Sequence, residues 1–94
     1  MIAAAKNPEL DRAQRNRALV MLSALGGPDA LHACLDVLAD SDESMRGSAA
    51  QALAEMGNPR ALPALRQAEA NSENGRITKV IAISIRKLER AGAR

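Results

Sequence analysis

Apolar residues in this chain recur every three or four positions rather than every two. Over residues 42–57, Met45, Ala49, Ala52, Leu53 and Met56 trace one stripe at helical spacing, with Ser41 or Asp42 before it as an N-cap and Gly57 as its stop. Pro59 follows where a helix's first turn tolerates proline, because the N–H it lacks has no intrahelical acceptor there. Leu62, Leu65 and Ala68 line a return helix. The pattern predicts helix, short turn, helix. Upstream, Asn7-Pro8 open a longer helix with Ala18, Leu22 and Leu25 on its inner stripe; Gly26-Gly27 stop it, and Leu31, Cys34, Leu35 and Leu38 line the return. Downstream, Ile77, Val80, Ile81, Ser84, Ile85 and Leu88 form one broad helical stripe. A strand competes there, since Ile77, Ile81, Ile83 and Ile85 are β-branched and share one side of a two-residue alternation. The repeat context and the continuation from Arg86 to Arg90 favour helix, which leaves Ile83 off the main stripe.

Sliding the chain by 31 positions lays Leu25-Gly26-Gly27-Pro28-Asp29-Ala30-Leu31 over Met56-Gly57-Asn58-Pro59-Arg60-Ala61-Leu62. Arg15, Ala18 and Leu22 then fall on Arg46, Ala49 and Leu53, and Ala33, Cys34 and Ala39 on Ala64, Leu65 and Ala70. A tail over 72–94 resembles a third first helix, with Leu88 and Gly92 matching Leu53 and Gly57 after a four-residue insertion near Asn74-Gly75. We expect one domain over 1–94: repeat one at about 7–40, repeat two at about 41–71 and a half repeat at about 72–94. The expected fold is all-α, a short right-handed α-solenoid of about two and a half helix-turn-helix repeats, or about five helices.

Composition sharpens this picture. Phe, Tyr and Trp are absent, so twenty alanines and eleven leucines must build a thin core in which helix backbones approach closely. No aromatic anchor is available for a binding hot spot. No run approaches 18 apolar residues, and the start is too short for a signal segment, so no membrane contact and a cytoplasmic location are expected. Net charge is +2, but residues 1–27 carry +2, 28–75 carry −5 and 76–94 carry +5. Basic ends around an acidic middle suit electrostatic steering or head-to-tail contact of copies better than a uniform nucleic-acid face.

Little chemistry stands out. Cys34 is the only cysteine and His32 the only histidine, which leaves neither a disulfide nor a zinc site of usual spacing. His32 and Asp36 are four apart, a spacing at which a carboxylate can orient an imidazole base, yet no nucleophile joins them. Cys34 lies about 200° around the helix from His32 and matches core Leu65, so it reads as a small buried hydrophobe. The turn Asp40-Ser41-Asp42-Glu43 lacks the length and spacing of a calcium loop and reads as capping and solvation. The basic tail of Arg76, Lys79, Arg86, Lys87, Arg90 and Arg94 could meet phosphates, but no aromatic stacks a base and the acidic middle repels a nucleic-acid backbone. Expected, then, are no enzyme activity, no catalytic residue, no metal and no cofactor.

The run DESMRGSAAQALAEMGNPRALPAL at 42–65 resembles a HEAT-like repeat of the short type first noted in phycobilisome lyases: acidic turn, hydrophobe-Arg, Ala-Ala, Ala-Leu, hydrophobe-Gly, Pro, Ala-Leu-x-x-Leu. Repeat one matches more loosely over 11–40, and the tail only through Leu88 and Gly92. The resemblance implies that Arg46 and Arg15 are structural, packed between units, while the third unit has Ile81 in that place. It implies a protein-binding or scaffold module whose second helices, about 28–39 and 59–70, line a concave face. With core positions removed, the partner-binding candidates there are His32, Asp36, Arg60, Arg66, Gln67 and Glu69, to which the exposed Ile83 of the uncovered last helix is added. Iron-dependent hydroxylases of the class need paired His-Glu motifs, and His32 is followed by Ala33. Bilin lyases share the repeat type, which leaves accessory-subunit work or self-assembly through the terminal helix as alternatives to binding another protein.

Overall fold

The computed structural model describes residues 11–39 and 42–92. The described residues form five α-helices and no strand: α1 (Arg12–Leu25), α2 (Gly27–Leu38), α3 (Glu43–Met56), α4 (Leu62–Asn71) and α5 (Gly75–Gly92), with a 3-10 turn at Pro59–Ala61 before α4. The helix reading of the tail holds and the strand reading does not. Burial explains the choice, since Ile81, Ser84, Ile85 and Leu88 share one inward face at helical spacing.

Two layers result. α1, α3 and α5 lie side by side, α2 and α4 lie beneath them, and each later first helix packs on the second helix of the unit before, α3 on α2 and α5 on α4. The slab measures 38 × 30 × 16 Å. Leu19, Cys34, Val37, Met45, Leu53, Leu65, Ile81 and Leu88 are fully buried between the layers, so every helix contributes to one core. α3 has neighbours on three sides, which is why Gly47, Ala49, Ala50, Ala52 and Ala54 are all buried. Only small side chains let three helices approach one helix this closely.

Local signals mostly act as the sequence suggests. Asp42 caps α3 by accepting from the Ser44 N–H at 2.9 Å; the alternative cap Ser41, with Asp40, lies outside the described residues. Gly57 ends α3 in the left-handed region at φ 69°, where a side chain would clash with its own backbone.

Three expectations need correction. The first helix does not run continuously from Asn7-Pro8, which lie outside the described residues, because Asp11 is extended and closes a capping box with Gln14. Leu25 is not on the inner stripe; it is 70% exposed at the last position before Gly26 turns the chain, and Leu19 fills the core instead. α4 starts at Leu62 rather than at Pro59, because Pro63 fits only a first turn and its ring would meet the carbonyl of residue 59 in a continuous helix.

Candidate functional site

The second-helix face is built from α2 and α4. Along α2 the inward residues Ala30, Leu31, Cys34, Val37 and Leu38 are buried, which turns Asp29, His32 and Asp36 to solvent. Along α4 only Leu65 is fully buried, and Arg66, Gln67 and Ala70 are exposed. Between the two helices runs a recess of about 340 Å³, floored by Leu35, Leu38, Ala64 and Ala68 and rimmed by Gln67, Asn71 and Arg46. A second recess of about 390 Å³ lies at the turn end, where His32 and Arg60 flank Leu31, Leu35 and Met56. Leu35 lines both, so the two recesses are neighbours.

The seven expected partner-binding residues therefore separate. His32 and Arg60 line the turn-end recess, and Gln67 lines the neighbouring one between the helices. Asp36 is exposed on α2 but lines neither part. Arg66 is exposed and turned toward α5, where its guanidinium donates to Glu89 at 3.1 Å. Glu69 is half-buried and lines neither recess. Ile83 belongs to the other layer altogether, 64% exposed on α5.

The sequence reading missed a larger groove on the first-helix layer. Ser48, Gln51, Ala52 and Glu55 of α3 floor an open trough of about 820 Å³, walled by Val20 and Ala24 of α1 and by Ile83 and Lys87 of α5. Short side chains on the middle helix make the trough, and Val20, 66% exposed, and Ile83 sit on opposite walls. Asn16 Oδ1 also faces this region and is buried without a hydrogen-bond partner. Ion pairs cross the same layer: Arg12 with Asp42 at 2.9 Å joins α1 to α3, and Lys87 with Glu55, at the trough, joins α3 to α5. The short residues Ser48 and Ala52, four apart on one face, were the available signal, but they mark a groove only once α1 and α5 are known to flank α3.

Cys34 is fully buried, and burial pushes its thiol up to about 11, which removes it as a nucleophile near neutral pH. Arg15 is buried, and Arg46 lies 3.5 Å from Glu43 and lines the recess between α2 and α4, where the two repeats meet. Ile81, in the corresponding place of the last unit, is fully buried. Among the described residues no three His, Cys, Asp or Glu side chains gather as metal ligands. Among them, too, no helix is long and apolar enough to cross a membrane.

Repeated helical hairpins stacked in two layers around one core define an α-solenoid. The family model for HEAT repeats matches residues 2–86, and the chain belongs to that family. No curated protein matches the sequence.

Proposed function

We propose that this chain is a non-catalytic protein-protein interaction module, a single domain of two and a half repeats that holds another protein in the cytoplasm. The observation that carries the reading is the pair of neighbouring recesses on the second-helix layer, which share Leu35. Their floors are apolar and their rims polar, with His32 and Arg60 on one and Gln67 and Asn71 on the other, the apolar-centre, polar-rim arrangement of a protein interface. Without an aromatic anchor the binding energy must come from shape and from several small contacts, so a helix or an extended segment of the partner suits the two recesses better than one large side chain. Membership in the HEAT repeat family, whose members are commonly protein-interaction scaffolds, supports this reading.

The test is position-specific crosslinking in cell extract. A photo-reactive group at Gln67→Cys should give an adduct to a discrete partner, while the same group at Arg17→Cys, exposed on the other layer, should not. Equal labelling from both positions, or from neither, rejects the second-helix face as the binding site. The finer resemblance to the phycobilisome-lyase type suggests an accessory role in bilin attachment, for which a tetrapyrrole absorbance shift on mixing is the direct assay; an unchanged spectrum rejects that role.

A further inference from the structure

α5 carries an outer face that no other described residue covers. Ile81, Ser84, Ile85 and Leu88 point inward, and on the opposite side Arg76, Lys79, Ile83, Arg86 and Arg90 are all exposed. Their spacing of three, four, three and four residues keeps them on one straight row about 21 Å long. None of these four cations has an ion-pair partner within the described residues; the helix's other basic group, Lys87, is turned aside to Glu55, and its one acid, Glu89, to Arg66. The row is therefore wholly cationic around one central isoleucine.

A complementary row stands on α2. Asp29, His32 and Asp36 are exposed at the same three-and-four spacing, with the two carboxylates about 10.5 Å apart along the helix. Lys79 and Arg86 are separated by the same seven residues, so two cations flank Ile83 as two acids flank His32. Asp36 also has a polar or electrostatic neighbour in its own chain, and the match requires only that its carboxylate be accessible. The two rows cannot meet within one molecule, since α2 belongs to the opening unit and α5 closes the last.

We propose that the outer row of α5 docks on the α2 row of a second copy of this chain. This rests on the interaction-module reading above and names an occupant for its terminal helix. Lys79 and Arg86 pair with the two aspartates, and Ile83 lies against the ring of His32. A second copy fits better than a phosphate backbone, which has no use for an isoleucine at the centre of the row, and better than a lipid surface, against which one apolar side chain gives little anchorage. If the contact is reciprocal it forms twice in a closed dimer; if one-way, it repeats into an open string.

The test is sedimentation or light scattering at high protein concentration, at about 0.02 M and about 0.5 M salt, where the Debye lengths are ~20 Å and ~4 Å. The solution mass should exceed one chain at low salt and fall to one chain at high salt. Asp29→Lys with Asp36→Lys, and separately Lys79→Glu with Arg86→Glu, should each weaken association about tenfold or more. The fourfold exchange combining both sets leaves the net charge at +2 and should restore it. Circular dichroism verifies that each variant is folded. A monomer at low salt overturns the proposal, as does association that persists at high salt or a folded fourfold variant that does not recover. Binding of a short duplex or of anionic vesicles through the same row, with no self-association, assigns the row to those ligands instead. A monomer that still crosslinks a partner through position 67 leaves the module reading standing and removes only the self-pairing.

Discussion

Asp42 gives its two carboxylate oxygens separate work: Oδ1 accepts from the Ser44 N–H to cap α3, and Oδ2 accepts from Arg12 Nε to tie α1 to α3. The hydrogen bond from Arg12 is the main reason that its carboxyl titrates below the usual range, with the capping bond adding to it and partial burial opposing. A carboxylate depressed in the folded state contributes stability that is present above the unfolded pKa of about 4 and is lost as pH falls through the folded value. Asp42→Asn keeps a competent cap and loses only the exposed pair, a change of about 1 kcal/mol or less. Asp42→Ala loses the cap as well, about 1 kcal/mol more. Urea melts at neutral pH should rank wild type, Asn and Ala in that order. Well below pH 4 the gap between wild type and Asn should close, and a gap that stays open would show that the carboxylate charge is not what the native state uses. Cys34 offers an independent residue-scale check. With its thiol near 11, about one molecule in a thousand is thiolate at pH 8, and the sulfur is also shielded, so iodoacetamide should label it only after unfolding. Rapid labelling of the folded chain would contradict the core position given to it.

At the scale of elements, α3 and α5 meet through a missing side chain. A Cβ on Gly47 would stand 3.2 Å from Ile77 Cδ1 and 3.8 Å from Val80 Cγ1, so the glycine sets how closely the two helices approach. Gly47→Ala gains up to about 1 kcal/mol of helix propensity against a contact that a flexible Ile77 can relieve, and its net effect should be small. Gly47→Val adds two methyl groups that the interface cannot accept and should destabilise by about 1–3 kcal/mol. Thermal melts of the two variants test this, and equal midpoints for Val and wild type would mean that α5 is looser than its packing indicates. The existence of every described helix was legible because stripe, cap and stop are local: Met45 to Met56 between Asp42 and Gly57 needs no tertiary information. Leu25 misled because its place in the repeat matched that of Met56, while burial at a helix's last turn depends on what covers it, and Gly26 turns the chain away there. The site was legible only by helix, not by contact. Ile83 could be placed off the stripe from its angle alone, but that Lys87 would pair with Glu55 and Arg66 with Glu89, leaving a bare cationic row on α5, depends on neighbours far apart in the chain. The trough over α3 was hidden for the same reason.

For the molecule as a whole, the position of α3 decides how stability is distributed. α3 packs against α1, α2 and α5, whereas among the described residues α1 and α5 each have a helix of their own layer on one side only. In a stacked repeat protein each unit is stabilised by its own packing and by its interfaces, so an end unit with one interface opens more readily than a middle one with two. The ion pairs that join the units, Arg12–Asp42, Glu55–Lys87 and Arg66–Glu89, are exposed and each contributes about 1 kcal/mol or less, too little to reverse that order. Amide exchange should therefore be slowest in α3 and faster in α5 and the outer face of α1. Truncating a buried leucine should expose the same hierarchy. Leu53→Ala removes volume from the shared core beneath three helices and should cost about 2–5 kcal/mol, accelerating exchange in every helix. Leu88→Ala removes the same volume from the last helix alone, and exchange should rise mainly in α5 while α1 and α2 keep their protection. If both substitutions raise exchange equally everywhere, the chain unfolds as one indivisible unit even at its ends. The open face of α5 would then be a fixed surface rather than the edge of a helix that opens on its own, and the row it carries would be presented to a partner at no further cost in ordering.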